Sequence, residues 1–320
     1  MFVCEEQSSY LNEQQEDESV FVDLLSDSGF KIVFGDSGEE DTETNKLEST
    51  VLKRGDLLKN MLNAFFDDRI PKITKVRFRN SEVLGKSVHH RKVIYDLYFE
   101  DGSKRRFVVE MQKDEISFML NRIHNYTSLA HSNAMKKGKK FKHDQHAIIG
   151  VVIANFVLHE NKKMPCISII ENGDMKAGAV AMDLTKILTV ELPKFNKKID
   201  ELVDDKDKYL FLLKHMGELK DIPVQFDTEE FRPIFECSRI ANLKKEDYML
   251  FDEERTLERR RELVMETAVN KAVEKERKKA KEETISLLLQ ENCLSLERIA
   301  TLMRVGIEEV LRIKNALALS

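Results

Sequence analysis

The sequence has little of several features that would define a class of protein. It contains no tryptophan and only five prolines in 320 residues. No apolar run is long enough to span a membrane, and the longest, residues 147–158, has the length of a buried strand. The N-terminus is acidic before Val20, unlike a secretory or mitochondrial leader. We therefore expect a cytoplasmic protein.

Cysteines are also few, and they lie far apart without a CxxC pair. The sequence has four: Cys4, Cys166, Cys237 and Cys293. This spacing suggests neither a zinc knuckle nor a disulfide framework, so we expect reduced, structural thiols.

An excess of positive charge is missing as well. The 52 lysines and arginines are outnumbered by 57 acids, which gives a net charge of −5 and no global signature of nucleic-acid binding. Basic residues do cluster locally, at Arg91 and Lys92, at 104–106, and among the lysines of 136–142. On charge alone, a DNA-binding face and a solvated surface explain these clusters equally well.

The most informative stretch is residues 89–112, whose two runs of β-branched and aromatic residues flank a turn and predict a β-hairpin. A loop of Gly102, Ser103 and Lys104 sets its register. In that register one face of the hairpin is apolar, because side chains alternate along a strand. The predicted pairs on that face are Phe99 with Phe107, Leu97 with Val109, and Tyr95 with Met111.

The same register brings acids together on the opposite face. Asp96 lies across from Glu110, and Ile94 across from Gln112. A two-residue turn at Asp101–Gly102 would separate the acids, but it would also scatter the apolar residues. Facing carboxylates repel each other by up to roughly 1 kcal/mol. We therefore expect a cation beside them, and a divalent metal is the obvious candidate.

Elsewhere, helical and strand patterns alternate along the chain. Helices are predicted at 22–34, 47–66, 116–137 and 195–216, and strands at 72–78, 147–158, 166–170 and 188–192. This order predicts an α/β fold, a mixed sheet with helices on its faces. We expect five segments: a disordered acidic N-terminus (1–20), a main domain (21–220), a connecting segment (221–252), a long charged helix (253–285) and a small helix-turn-helix-like tail (286–320).

The C-terminal helices carry few basic residues in their tail. They are Arg298, Arg304, Arg312 and Lys314. A packing or oligomerisation module is therefore favoured over a DNA-reading one, and the helices could support a homo-oligomer.

Several motifs together resemble one family. They are SDSGFKIVFG (26–35), DLLKNMLNAFF (56–66), YDLYFEDGSKRRFVVEMQ (95–112), a helix with Arg122 and Tyr126, VELPKF (190–195) and YLFLLKHM (209–216). They occur in the same order as in the PD-(D/E)XK nuclease family transposases, also called the recombination-promoting nuclease family. The resemblance runs from about Ser26 to Met216.

This resemblance implies a restriction-endonuclease-like core in residues 21–220 and a Mg²⁺-dependent DNA endonuclease of low sequence specificity, for which Mn²⁺ could substitute. Asp96 matches the first metal acid and Glu110 the second, while Gln112 stands where the E-x-K signature has lysine. Glu48 is the candidate for a further metal acid from the first helix. Asp27 is equally well explained as a helix cap.

The resemblance also suggests which residues contact DNA. They are Lys31, Arg91, Lys92, Arg122 and Tyr126, although Arg122 and Tyr126 are equally well explained by packing and ion pairing. Two functions remain open. One is an endonuclease that cuts DNA in recombination or in limiting foreign DNA. The other is a catalytically weak or inactive nuclease-fold protein that binds DNA or assembles through its C-terminal helices.

Overall fold

The computed structural model describes residues 19–36, 53–83, 93–134, 146–161, 163–174 and 176–317, with residues 181–183 described as backbone alone. The chain forms two compact units, Met1–Asp252 and Glu253–Ser320. Within the described ranges, no helix combines the length and the apolar character needed to cross a membrane. Glu48, Arg91 and Lys92 lie outside the described residues.

The first unit contains a six-stranded sheet in the order β1-β4-β5-β6-β8-β7. Its strands are β1 (Val76–Phe78), β4 (Leu97–Asp101), β5 (Arg106–Gln112), β6 (Ile148–Ala154), β7 (Ile167–Asp174) and β8 (Ala179–Glu191). The central strands β5, β6 and β8 are parallel, whereas β1, β4 and β7 run antiparallel to their neighbours. A separate two-stranded ribbon pairs β2 (Glu82–Val83) with β3 (Val93–Ile94). The predicted mixed α/β sheet is confirmed.

Helices cover both faces of this sheet. They are α1 (Asp27–Phe34), α2 (Arg54–Phe65), α3 (Met119–Ala134), α4 (Asp205–His215) and α5 (Arg232–Ser238), followed by the start of α6 (Lys245–Glu291). One face packs Val151 with residues of α1, α2, α4 and α5, and the other packs Val152 against Ile123 of α3. Strand β6 is buried at every residue, which confirms the prediction of a strand covered on both sides.

Helix α3 approaches the sheet closely at Gly150 of β6. A Cβ atom at this position would lie 2.8 Å from Cγ1 of Ile123 and 2.9 Å from Cγ2 of Thr127. Because such distances are shorter than normal contacts, a side chain at position 150 would push the helix away. The glycine therefore sets how near α3, and the residues it carries, can lie to β5 and β6.

The hairpin of β4 and β5 has the predicted register. Leu97 pairs with Val109, and Phe99 pairs with Phe107. The rings of Phe99 and Phe107 stack with their centroids 4.7 Å apart. The three-residue loop is confirmed too, and it places Lys104 in the left-handed region with φ of 63°.

On the N-terminal side of Leu97, however, the predicted pairs of Tyr95 with Met111 and Ile94 with Gln112 are wrong. The chain bends at Asp96, Ile94 pairs with Glu82 instead of Gln112, and the Tyr95 amide donates to the Ser81 carbonyl at 3.1 Å. The side chain of Tyr95 consequently turns to the α3 face, where its ring lies 5.3 Å from that of Tyr126.

The second unit is helical. It contains the rest of α6, then α7 (Leu296–Met303) and α8 (Ile307–Leu317). Its core includes Ile285, Ile299, Val310 and Ile313. In contrast, residues 256–281 of α6 are exposed along almost their whole length, apart from the half-buried Glu258. The small apolar cluster therefore holds only the end of α6 against α7 and α8.

The stacked phenylalanines should dominate the stability of the hairpin. We expect Phe99→Ala to lower the free energy of unfolding by about 3–5 kcal/mol, because it removes a fully buried ring. Phe118→Ala is the matched control, since Phe118 is 79% exposed, and it should change stability by less than about 0.5 kcal/mol. Urea unfolding followed by tyrosine emission measures both, as the chain has no tryptophan. Similar losses in the two variants would contradict this packing.

Candidate active site

Asp96 and Glu110 hold each other in place where the hairpin ladder ends. The Met111 amide donates to Oδ2 of Asp96 at 2.8 Å, and the Asp96 amide donates to Oε1 of Glu110 at 3.3 Å. Each carboxylate thus replaces a backbone carbonyl as the partner of an amide on the other strand. This exchange fixes both side chains to the backbone and accounts for the bend at Asp96.

The remaining oxygen of each carboxylate faces a cation. Nζ of Lys31, on α1, lies 3.8 Å from Oδ1 of Asp96. Nη2 of Arg122, on α3, lies 3.2 Å from Oε2 of Glu110. The two acids are therefore compensated from separate helices.

Burial and mutual repulsion shift the protonation of this pair. The side chain of Glu110 is 0% exposed, and burial followed by the charge of Asp96 raises its pKa from 4.5 to about 8. Burial, and next the charge of Asp27, raises the pKa of Asp96 from 3.8 to about 6. The cations lower both values but do not cancel the shift. Near neutral pH the site therefore favours a further positive charge, whether that is a proton or a metal ion.

Arg122 and Tyr126 form one arrangement beside Glu110. Nε of Arg122 donates to the Tyr126 hydroxyl at 2.7 Å, and the guanidinium lies 5.1 Å from the centre of the tyrosine ring. Burial and the nearby charge of Glu110 raise the pKa of Tyr126. These contacts are the packing and ion pairing that the sequence suggests, and contact of Arg122 and Tyr126 with DNA stays a prediction.

Asp27 is an acid whose place the sequence left open. The cap of α1 is Ser26, whose Oγ accepts from the Gly29 amide at 3.0 Å, so the explanation of Asp27 as a cap is wrong. Asp27 instead accepts from Nζ of Lys31 at 2.7 Å, and its charge acts on Asp96. The spacing of Asp27 and Lys31, four residues apart on one helix, is the signal that could have indicated this pair.

Gln112 is the last residue of β5 and lies on the same face of the strand as Glu110. It is half-buried, and its carbonyl accepts from the Asn155 amide at 2.9 Å. Since a glutamine side chain carries no charge, position 112 adds nothing to the positive charge supplied by Lys31 and Arg122.

Residues 24–268, more than half of the chain, match the model of one protein family, described as PD-(D/E)XK nuclease family transposase. The chain belongs to this family. The matched region contains the whole hairpin together with α1 and α3. No curated protein and no solved structure matches the chain. The predicted resemblance is thereby confirmed, and the sheet with its flanking helices is that of a PD-(D/E)XK nuclease.

Another family motif, VELPKF, has a structural role. Glu191 ends β8, is 0% exposed, and accepts from the Leu158 amide at 2.8 Å and from Nζ of Lys194 at 2.7 Å. It therefore holds the loop that follows β6 at the edge of the sheet where Glu110 lies. No pattern in the sequence marks this acid as buried, since it stands at the end of a strand beside a lysine-containing loop.

PD-(D/E)XK nucleases generally use divalent metals, and the site offers suitable donors. Asp96 and Glu110 provide hard carboxylate oxygens, which Mg²⁺ prefers. Their raised pKa values show that the charges of the two acids are not fully compensated by Lys31 and Arg122. Among the described residues, no group of three or more histidine, cysteine or acidic side chains is placed to hold a metal. Two carboxylates still fit Mg²⁺, because this ion commonly keeps several of its waters.

The raised pKa of Glu110 should make stability depend on pH. The folded protein holds a proton that the unfolded chain releases, so this group lowers stability as pH rises from about 4 to about 8. In metal-free buffer we expect Glu110→Gln to be more stable than wild type above pH 8 by at least about 1 kcal/mol. The advantage should vanish near pH 4.

Urea unfolding over that pH range measures the difference. Glu236→Gln, which alters an exposed acid on α5, is the control and should follow the wild-type curve. A Glu110→Gln advantage of the same size at pH 4 and pH 8 would show that ionisation of Glu110 is not its origin.

Proposed function

We propose that this protein is a metal-dependent DNA endonuclease that hydrolyses phosphodiester bonds with little sequence specificity. The observation that carries the proposal is the Asp96–Glu110 pair, in which two carboxylates with raised pKa values are fixed by each other's backbone. Burial of two carboxylates side by side destabilises a fold unless a cation compensates their charge, and such pairs are typical of functional sites. Because the chain belongs to a nuclease family, we infer that the cation serves phosphodiester hydrolysis and that DNA is the substrate.

In this proposal Asp96, Glu110 and the Met111 carbonyl would hold Mg²⁺ or Mn²⁺. The bound ion would supply polarisation of the scissile phosphate and a lower pKa for an attacking water. Gln112, on the same face as Glu110, orients that water or a phosphate oxygen by hydrogen bonding. As a neutral group, Gln112 stabilises the developing negative charge less than a lysine would.

Basic residues around the pair would contact the DNA backbone. Lys31 and Arg122 approach it from two different helices, so a phosphate at the pair would lie between them. Tyr126 keeps Arg122 in place through its hydroxyl. Arg91 and Lys92 remain proposed DNA contacts from the sequence, and Glu48 a proposed further metal acid.

Nicking of supercoiled plasmid tests the proposal directly. We expect cleavage with Mg²⁺ or Mn²⁺ and none with EDTA. Asp96→Asn and Glu110→Gln should each lower the rate at least 100-fold, because each removes a negatively charged ligand from the site. Glu236→Gln serves as the folded control with wild-type activity. If wild type does not cleave double- or single-stranded DNA with either metal, the endonuclease proposal fails.

The inert alternative, assembly through the C-terminal helices, also has an observation in its favour. In α6, Met265 is 71% exposed, Val269 54% and Val273 44%, and these residues lie four apart as an apolar stripe on one side of the helix. Exposed apolar side chains along one side of a long helix are typical of a helix that pairs. We therefore propose that α6 associates with α6 of a second copy, a contact compatible with either function.

Sedimentation velocity tests this association. We expect a dimer at micromolar concentration and at least tenfold weaker association for Val269→Glu, which places a charge in the stripe. Asn270→Glu is the matched control, because the neighbouring residue projects about 100° further round the helix. A wild-type monomer at tens of micromolar, or equal weakening by the two substitutions, would rule out this surface.

A further inference from the structure

Lys31 stands on a helix whose apolar residues pack into the hydrophobic core, so the position of its backbone is fixed. Its helix α1 is anchored by buried residues on both sides of it in sequence, including Phe30 and Ile32. Its ammonium lies 2.7 Å from Oδ2 of Asp27 and 3.8 Å from Oδ1 of Asp96. The anchored helix, Asp27 and Asp96 together hold a positive charge beside the acid pair of Asp96 and Glu110.

The charge at this place matters because Gln112 has none. Hydrolysis of a phosphodiester builds negative charge on the phosphate, and fixed positive groups lower the barrier most when they face that charge. Lys31 and Arg122 are the cations that contact the acid pair in the described part of the chain. Arg122 is already committed to Glu110, the Tyr126 hydroxyl and the tyrosine ring.

Lys31 differs from Arg122 in its freedom to change partner. A lysine ammonium is a compact charge on a flexible stem, and it can donate to several oxygens without a fixed planar geometry. It can therefore keep its bond to Asp27 and exchange the longer contact with Asp96 for a phosphate oxygen. The planar guanidinium of Arg122 would have to give up its arrangement with Glu110 and Tyr126.

We propose that Lys31 is a catalytic residue, which supplies from α1 the positive charge that Gln112 cannot, and that Asp27 positions its ammonium. The inference rests on the proposed endonuclease function. In the reaction a water oxygen forms a bond to phosphorus and releases one proton to solvent, the bond from phosphorus to the leaving sugar oxygen breaks, and that oxygen takes up a proton from solvent. Lys31 keeps its protons throughout and acts as a fixed charge on the phosphate.

A different assignment of the same residues makes opposite predictions. Asp27 could itself be a metal acid, with Lys31 serving only to neutralise it in the metal-free protein. Loss of Asp27 would then abolish cleavage, whereas loss of Lys31 would leave the rate unchanged. Under our proposal Lys31→Gln is the severe change, and Asp27→Asn slows the reaction by no more than about tenfold because the ammonium remains.

The decisive experiment moves the charge from α1 to β5. Single-turnover plasmid nicking with Mg²⁺ is compared for wild type, Lys31→Gln, Asp27→Asn and the double variant Lys31→Gln with Gln112→Lys. We expect Lys31→Gln to be about 100-fold slower or more, in the range for loss of one transition-state partner. The double variant should recover at least tenfold, since its lysine extends from the face that bears Glu110.

A second measurement does not depend on cleavage. The binding constant for a labelled DNA duplex is measured in EDTA at several salt concentrations. The slope of the logarithm of this constant against the logarithm of the salt concentration reports the number of phosphate contacts. Lys31→Gln should reduce this slope by about 0.9, the value for one lost contact with B-DNA. Lys206→Gln on α4, whose partner is the local Asp204, is the control and should leave the slope unchanged.

The outcomes separate the two proposals. If wild type cleaves and Lys31→Gln cleaves at the same rate, Lys31 is not catalytic and the endonuclease function stands. The same conclusion follows if Lys31→Gln is slow but Gln112→Lys restores nothing and the salt slope is unchanged, because Lys31 would then be structural. If wild type itself does not cleave, both proposals fail.

Discussion

The repulsion between Asp96 and Glu110 is the constraint to which the surrounding structure responds. Burial of two carboxylates at the end of a β-hairpin raises their pKa values to about 6 and about 8. Each acid keeps its position because it accepts a hydrogen bond from the other strand's backbone. Lys31 and Arg122 then reduce the repulsion from two sides without removing it. The fold thus maintains a place that favours additional positive charge.

Rigid elements on both sides of the sheet keep this place in position. Gly150 lets α3 lie close to the sheet, which allows Arg122 to contact Glu110. On the opposite face, the stacked pair of Phe99 and Phe107 fixes the register that sets Glu110 beside Asp96. A shift of one residue in this register would reverse the face of every side chain. The core and the candidate site therefore depend on the same pairing.

The sequence predicted this pairing because alternation is a local signal. Leu97, Phe99, Phe107 and Val109 share one apolar face in a single register, and the structure has that register. The bend at Asp96 has no such signal, since it arises when side-chain carboxylates replace backbone carbonyls as hydrogen-bond acceptors. The pattern of alternation continues through Tyr95 in the sequence although the ladder does not.

Contacts between distant elements were the least predictable. The pairing of Arg122 with Glu110 depends on how α3 lies against the sheet, and the pairing of Lys31 with Asp96 depends on α1. Ser26 and Asp27 are both good helix caps by composition, so the sequence could not say which of them caps α1. In the structure Ser26 caps α1, and Asp27 pairs with Lys31.

The net charge of −5 offers a polyanion no long-range attraction, and the cations at the hairpin are themselves paired with acids. Arg105 binds Asp101 at 2.6 Å, and Arg79 lies 3.0 Å from Glu100. Such pairs leave little free positive charge to attract DNA from a distance. A phosphate would have to compete with a carboxylate for each of these cations, and for Lys31 and Arg122 in the same way. At the candidate site Lys31 is the cation with room to change partner, since its contact with Asp96 is the longer of its two carboxylate contacts and its contact with Asp27 can be kept.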